Sequence, residues 1–324
     1  MELKKIAILT SGGDAPGMNA AIRAAVRTGI HKNLDIVGIV GGYTGILQGH
    51  FQPMNLRSVA NIIQRGGTVL KTARCPEFYK PEYRKIAADR LKQEGIQALV
   101  CIGGDGSFRG AHLLNEEYQV KVVGVPGTID NDIFGTDNTI GFDTAVNTAL
   151  EAIDRIRDTA ASHDRLFIVE VMGRNSGFIA AHVGLAGGAE TIFAPEHLFP
   201  IENAITQIKN GTTKGKMSSI LITAEGQKPG RAYDLAEAIR KKSGLDAKVC
   251  ILGHIQRGGA PTASDRILAS RLGFGAIEAL INGDTNVMIG VINDQIVKVP
   301  FSDIYNKEKK VSRELIDLAM VLSH

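Results

Sequence analysis

Short apolar runs alternate with longer amphipathic stretches along almost the whole chain. The clearest amphipathic stretch is 142–159, where apolar residues recur at the three- and four-residue steps of one face of an α-helix. Similar patterns predict strands at 4–9, 36–40, 98–102, 120–125, 166–171, 192–193, 219–223, 248–252 and 287–292, and helices at 18–32, 83–94, 108–117, 178–186, 202–208, 233–242, 263–281 and 313–322. Continuously apolar strands that alternate with helices predict an α/β fold with largely parallel sheets covered on both faces.

The length of 324 residues suggests two domains of ordinary size. No linker, charge run or low-complexity segment marks the boundary, so we place it near Gly141, where the long amphipathic stretch begins. Ligands of parallel sheets bind beyond the carboxyl ends of the strands. The strand-to-helix loops are therefore the first candidates for chemistry.

Composition narrows the function classes. The net charge is only +3, with the basic residues scattered, which argues against a nucleic-acid or membrane surface. The three cysteines are far apart and follow no metal-binding spacing, so free thiols in a reducing compartment are expected. No run is long enough for a membrane span or a signal peptide, and we expect a cytoplasmic protein.

Two loops that follow predicted strands both contain Gly-Gly-Asp, at 10–19 and at 101–109. Glycines there expose backbone N–H groups and the next helix presents its positive end, which together make a cradle for an anion. Asp105 would repel a phosphate unless a cation lay between them, so it is a candidate Mg²⁺ ligand. The alternative is a tight turn in which Asp105 caps the helix.

The loop 126–132 carries two carboxylates, Asp130 and Asp132. If the stretch is extended, both side chains point to the same side, where they could accept a hydroxyl proton and order a metal shell. From its residues alone the loop could equally be a surface turn.

Cationic residues stand at the ends of strands in the second half of the chain, at Arg165, Arg174 and the segment 253–259. Arginine and histidine beside glycines would suit a second anion such as a sugar phosphate. Surface ion pairing, and a structural role for His254, are the alternatives.

Taken together, the loops 10–19, 71–78, 103–107, 126–132, 172–174 and 253–259 resemble those of bacterial ATP-dependent 6-phosphofructokinases, in order and over essentially the whole chain. The resemblance implies two Rossmann-like three-layer domains, with ATP bound by 1–141 plus 256–304 and fructose 6-phosphate bound by 142–255 plus 305–324. It implies transfer of the ATP γ-phosphoryl group to the 1-hydroxyl of fructose 6-phosphate in glycolysis, with Mg²⁺ as cofactor.

The resemblance also assigns residues by motif match. The ATP site comprises Gly12, Arg74, Cys75, Gly104, Asp105, Gly106 and Ser107, and Asp105 holds the metal. The fructose 6-phosphate site comprises Thr128, Ile129, Asp130, Arg165, Met172, Gly173, Arg174, Glu225, Lys248, His254, Ile255, Gln256 and Arg257. The catalytic residues are Asp130 as the base, Arg74 and Arg174, which stabilise charge on the moving phosphoryl group, and Thr128 beside the base.

Three alternatives remain open beside this reading. The pyrophosphate-using branch of the family typically carries Asp at the position of Gly106 and Lys at that of Gly127, so the glycines here favour ATP. NAD and lipid kinases share the Gly-Gly-Asp-Gly loop but do not explain 126–132 or 254–259. A non-catalytic nucleotide-binding regulator would be expected to lack Asp105 or Asp130.

The chain departs from the family pattern at Lys248, where Arg from a neighbouring subunit is usual, and at Phe178, where many relatives have Asp. The family is commonly a homotetramer whose active and effector sites are shared between subunits, with ADP or phosphoenolpyruvate as effector. The matching effector positions are Arg23, Arg27, Arg157, Glu190, Lys214 and Lys216.

Overall fold

The structure is a computed structural model that describes residues 3–161, 166–214 and 218–323. It divides into two compact units. Unit 1 consists of Met1–Ile129, Ile133–Asp143 and Arg257–Lys309, and unit 2 consists of Asp130–Asp132, Thr144–Gln256 and Lys310–His324. Which ligand each unit binds stays a prediction at this point.

Strands and helices alternate through the described residues. The strands are β1 Lys5–Thr10, β2 Asp35–Ile39, β3 Phe51–Met54, β4 Ala98–Gly103, β5 Lys121–Pro126, β6 Leu166–Val171, β7 Thr191–Phe193, β8 Ser219–Ala224, β9 Ala247–Ile251, β10 Val287–Ile292 and β11 Gln295–Pro300. The helices are α1 Met18–His31, α2 Gly42–Gln48, α3 Pro81–Gln93, α4 Asp105–Tyr118, α5 Phe142–Ala161, α6 Phe178–Ala186, α7 Ile201–Thr213, α8 Arg231–Ser243, α9 Ala263–Ile281, α10 Phe301–Asn306 and α11 Arg313–Leu322.

The sheet of unit 1 has seven strands in the order β11-β10-β5-β4-β1-β2-β3. Its pairs are parallel except at the two edges, where β10–β11 and β2–β3 are antiparallel. The central strands are apolar because both faces are covered, and every residue of β4 is buried. Thr10 pairs with Ile102 and Gly103 with Pro126, so β1, β4 and β5 end at the same edge of the sheet.

Helices cover both faces of this sheet. On one face α1 packs so closely on β2 that a Cβ added to Gly29 would lie 2.3 Å from the Ile36 side chain. The neighbouring helix α9 lies equally close to α1, where a Cβ on Gly273 would meet the Ala21 carbonyl oxygen at 2.6 Å. On the other face, apolar residues of α3, α4 and α10, among them Phe108 of α4, form a core with alternate residues of the strands.

The sheet of unit 2 is parallel throughout, in the order β7-β8-β6-β9. One face packs against α7 and α8, and the core there includes Ile168, Leu221 and Ile239. Val171 pairs with Ala224 and Glu170 with Ile251, so the carboxyl ends of β6, β8 and β9 lie side by side.

The α/β fold with largely parallel sheets is confirmed, and several predicted elements match closely. The predicted helices at 263–281 and 313–322 are α9 and α11, and the predicted strands at 166–171 and 287–292 are β6 and β10. The pattern missed α2, β3, α10 and β11. In the described part of the chain, no helix is both long and apolar enough to cross a membrane.

Candidate active site

The two glycine loops of unit 1 lie against each other at the carboxyl ends of β1 and β4. Gly12 adopts φ 87°, and a Cβ added to it would lie 3.3 Å from the Ser107 hydroxyl oxygen. A Cβ on Gly103 would lie 2.5 Å from the carbonyl oxygen of Ser11. Neither position tolerates a side chain without movement of its neighbours, which explains why glycine stands just beyond β1 and at the last position of β4.

The segment 65–75 is tied to the first glycine loop by hydrogen bonds. Thr72 donates from Oγ1 to the Gly12 carbonyl at 2.8 Å, and Thr10 donates to the Lys71 carbonyl at 2.8 Å. These contacts carry Arg74 and Cys75 to the edge of the sheet that holds the glycine loops. Arg74 is exposed and Cys75 is half-buried.

Asp105 is the first residue of α4, and its Oδ1 accepts the Gly106 N–H at 2.6 Å. The helix cap is Gly104 and makes no side-chain bond, so Asp105 does not act as the cap. Its carboxylate is exposed, as a metal ligand at a phosphate-binding helix end must be. No group of three metal-ligating side chains occurs among the described residues, so a magnesium ion at Asp105 would take its other ligands from phosphate and water.

The start of the loop 126–132 lies beside the second glycine loop. Gly127 donates its N–H to the Gly103 carbonyl at 2.9 Å. Thr139 holds the next residue by donating to the Thr128 carbonyl at 2.6 Å. Thr128 also approaches Gly104, since a Cβ added there would lie 3.9 Å from the Thr128 Cβ. Unit 1 thus brings Thr128 to the residues predicted to bind ATP.

The stretch 130–132 is not extended, so the condition for Asp130 and Asp132 to share one side is not met. Asn131 between them adopts a left-handed conformation with φ 53°, which breaks the alternation of an extended chain. Asp130 is 7 % exposed whereas Asp132 is exposed. In unit 2, Ser176 donates to the Asp130 carbonyl at 2.9 Å, which fixes the backbone of this carboxylate. Of the two acids, only Asp130 sits in a largely water-excluded setting.

Unit 2 gathers most of the residues predicted to bind fructose 6-phosphate at the adjacent ends of β6, β8 and β9. They are Met172, Gly173 and Arg174 after β6, Glu225 after β8, and His254, Ile255 and Gln256 after β9. Arg174 and His254 are exposed, and Arg174 adopts a left-handed φ of 50° that turns the chain after Gly173.

Gln256 differs from its neighbours because it is fully buried. Its Oε1 accepts the Met172 N–H at 2.9 Å, so it holds the loop after β6. Ile129 is also fully buried, in unit 1, where its Cγ2 would meet a Cβ on Gly141 at 3.2 Å. Both side chains support backbone positions of the predicted site.

Arg257 belongs to unit 1, although the family resemblance assigns it to the fructose 6-phosphate site. It donates to the Asp14 carbonyl at 3.0 Å, and its guanidinium would lie 2.6 Å from a Cβ on Gly13. Lys248 lies within β9 rather than at its end and forms a 2.7 Å ion pair with Asp246. Arg165 lies outside the described residues.

The predicted effector residues fall in both units. Arg23 and Arg27 are one turn apart on α1 in unit 1. In unit 2, Arg157 donates to the carbonyls of Gly187 and Gly188, and Glu190 is buried with Oε2 accepting the Ile220 N–H at 2.5 Å. Lys214 is exposed at the end of α7, and Lys216 lies outside the described residues.

The sequence did not predict a role for Tyr43, which holds the backbone of the predicted ATP site at Ser107. Its hydroxyl donates to the Ser107 carbonyl at 2.5 Å, and its ring stacks on Phe78 at 4.1 Å between centroids. Burial raises the pKa of Tyr43 well above its ordinary value, so the hydroxyl keeps its proton and remains a donor. A tyrosine between glycines carries no pattern that distinguishes this role from core packing.

Comparison with known proteins identifies the family. The phosphofructokinase family model matches residues 5–280. The ATP-dependent 6-phosphofructokinase 1 of Thermus thermophilus is 55 % identical, covering 99 % of this chain and 100 % of that protein. The ATP-dependent 6-phosphofructokinase 2 of Bacteroides thetaiotaomicron is 53 % identical and covers 99 % of each.

Solved structures agree. Phosphofructokinase from Saccharomyces cerevisiae superposes with a TM-score of 0.87 at 38 % identity, over 98 % of this chain and 48 % of the longer yeast chain. The pyrophosphate-dependent enzyme from Marinobacter aquaeolei has a TM-score of 0.84 at 21 % identity, over 99 % of this chain and 91 % of that chain, and shows the fold alone. The chain belongs to the phosphofructokinase family.

Proposed function

We propose that this chain is an ATP-dependent 6-phosphofructokinase. It transfers the γ-phosphoryl group of ATP to the 1-hydroxyl of fructose 6-phosphate and yields fructose 1,6-bisphosphate and ADP. The observation that carries the proposal is the gathering of 10–19, 65–75 and 103–107 at one edge of the unit 1 sheet, together with relatives named as ATP-dependent over the full chain length.

The nucleotide phosphates bind the glycine loops of unit 1. Backbone N–H groups at the start of α4 and the positive end of that helix favour a polyphosphate. Arg74 adds a full positive charge from the segment held by Thr72. When Mg²⁺ is bound it neutralises charge on the phosphates, and the exposed carboxylate of Asp105 supplies its protein ligand.

The sugar phosphate binds the loops at the ends of β6, β8 and β9 in unit 2. Arg174 offers a planar pair of donors to a phosphate or to the moving phosphoryl group. His254 is an exposed hydrogen-bonding group in the neighbouring loop, and Glu225 is a buried carboxylate that suits sugar hydroxyls. Arg165, Lys248 and Arg257 complete the cationic set that the family resemblance assigns.

Asp130 is the general base that accepts the proton of the 1-hydroxyl as the phosphoryl group transfers. Its backbone is fixed by Ser176, and its burial removes competing water. Thr128, two residues earlier, stands next to the glycine loops. Phosphoryl transfer needs mainly alignment and charge neutralisation from a protein, and one carboxylate base with two arginines meets that need.

The phosphoryl donor is tested by assaying purified chain with fructose 6-phosphate and either ATP or pyrophosphate, and measuring fructose 1,6-bisphosphate with a coupled assay. We expect turnover with ATP alone, because Gly106 leaves open space at the start of α4. Turnover with pyrophosphate alone would make the chain a pyrophosphate-dependent phosphofructokinase. Failure with both donors would refute the reaction itself.

We further propose a cytoplasmic homotetramer with shared active sites and an effector site for ADP or phosphoenolpyruvate. The support is the set of cationic residues at Arg23, Arg27, Arg157 and Lys214, which matches the family pattern. Sedimentation in solution measures the oligomer, and titration of activity with ADP and phosphoenolpyruvate measures regulation. An unchanged fructose 6-phosphate saturation curve in both titrations would dismiss the effector site.

A further inference from the structure

Glu170 is an almost completely buried carboxylate near the carboxyl end of β6, with 1 % of its surface exposed. Its two oxygens accept different backbone N–H groups, Oε1 from Gly230 at 2.8 Å and Oε2 from Ala232 at 2.9 Å. These N–H groups begin α8, where a helix leaves its first donors without internal partners. The positive end of the helix also offsets the buried negative charge.

Residues 170–172, at the end of β6 and just after it, also hold the loops after β8 and β9. The Leu252 N–H donates to the Glu170 carbonyl at 3.0 Å, and the Glu225 N–H donates to the Val171 carbonyl at 2.9 Å. The Met172 N–H donates to Gln256 Oε1 at 2.9 Å. Residues 170–172 therefore fix the positions at which three loops of the proposed sugar-phosphate site leave the sheet.

The conformation of the loop 225–230 depends strongly on the contact that holds its second end, at Gly230. Two of its residues, Gly226 and Gly230, adopt left-handed φ angles of 71° and 111°. Glycine reaches such angles without strain, but it also gives a free loop many other conformations. The main-chain bond at Glu225 holds one end, and the Glu170 carboxylate holds the other.

We propose that Glu170 is a positioning residue of the sugar-phosphate site. Its carboxylate clamps the end of the 225–230 loop and the start of α8 onto β6, and thereby aims the Glu225 side chain at the sugar. The proposal rests on the proposed function, because it takes Glu225 to bind fructose 6-phosphate. It adds a residue that has no contact with substrate and sets affinity through another group.

Glu170→Gln tests the clamp, because the amide keeps the size of the side chain and turns one acceptor into a donor that faces an N–H group. We expect the KM for fructose 6-phosphate to rise at least about tenfold, the effect of one lost charge-assisted hydrogen bond. The KM for ATP and the kcat at saturating sugar phosphate stay unchanged. Glu170→Asp keeps the charge but has a shorter side chain. Its KM for fructose 6-phosphate should therefore lie between those of the wild type and of Glu170→Gln.

The matched control is Ser312→Ala, which removes the cap of another helix of unit 2. Ser312 Oγ accepts the Glu314 N–H at 3.2 Å at the start of α11. The control lowers thermal stability and leaves the kinetic constants unchanged. If Glu170→Gln behaves in the same way, Glu170 is a helix cap alone and the proposal is overturned.

Hydrogen exchange separates failure of this proposal from failure of the proposed function. We expect the amides of 225–232 to exchange faster in Glu170→Gln than in the wild type or in Ser312→Ala. Unchanged exchange there overturns the positioning role whatever the activity. A wild-type chain without activity on fructose 6-phosphate refutes the proposed function and removes the sugar as the loop's ligand.

Discussion

Gly106 offers a prediction in which stability and activity move in opposite directions. It is the second residue of α4, and a Cβ added there would have no neighbour within 4 Å. Alanine therefore fits the folded chain without a clash. Because glycine in a helix is about 0.5–1 kcal/mol less favourable than alanine, Gly106→Ala should raise the free energy of unfolding by about that amount.

The same methyl group should weaken the binding of ATP. If the phosphates approach the backbone at Gly106, the methyl group occupies part of their space. Overpacking of a close contact costs about 1–3 kcal/mol, which corresponds to a rise in the KM for ATP of about five- to 150-fold. The KM for fructose 6-phosphate should not change.

Steady-state kinetics with ATP as the varied substrate, together with thermal unfolding of the unliganded chain, tests both halves. Gly110→Ala is the contrasting variant, because its Cβ would lie 3.0 Å from the buried ring of Tyr43, and we expect it to be less stable than the wild type. An unchanged KM for ATP in Gly106→Ala would refute the close approach of the phosphates. A lower melting temperature would refute the open space.

The other predictions concern the base, the edge strand and the thiols. Asp130→Asn should keep both substrates bound and lose about 10²–10⁴-fold in kcat, the usual range for general-base catalysis, and near-normal kcat would remove Asp130 from its role. Lys248→Arg should lower the KM for fructose 6-phosphate because Arg can bind phosphate with two donors, and an unchanged or higher KM counts against the idea. Burial raises the pKa of Cys101 to about 12, so at pH 7.5 it stays protonated and native chain should resist alkylation there. Cys75 and Cys250 are half-buried and should react slowly, because burial raises the pKa of both thiols. ATP should protect Cys75 and leave Cys250 unprotected, as peptide mass spectrometry would measure, and equal protection would argue against Cys75 in the nucleotide site.

The sequence predicted the interior of the sheets better than their edges. A central strand such as β4 is apolar throughout because helices cover both faces, and this pattern can be read directly from the sequence. The edge strands β3 and β11 are short or largely exposed, and β3 contains Pro53. Their hydrogen bonds to β2 and β10 come from tertiary pairing, which no local pattern records.

The sequence likewise predicted some features of the candidate site and not others. The glycines at 12 and 103 mark close approaches, and a strand followed by glycine is readable as a phosphate loop. The geometry of Asp130 and Asp132 was not readable, because it depends on the left-handed conformation of Asn131. Asparagine tolerates that conformation without requiring it. The supporting roles of Tyr43 and Glu170 depend on partners dozens of residues away and have no local signature.

The pairing of β5 with β10 has a consequence for biosynthesis. Val123 is registered with Val287, so the strand that completes the sheet beside β5 is made long after β5 itself. Until then, the growing chain carries an apolar strand with an open edge while all of 144–256 is translated. Because unit 1 needs residues up to Lys309, it cannot be completed until all of unit 2 except Lys310–His324 has been translated, and the two units therefore cannot fold one after the other as separate modules. Chains that terminate before residue 287 should therefore be prone to aggregation, and the two units should be inherited together rather than exchanged as independent modules.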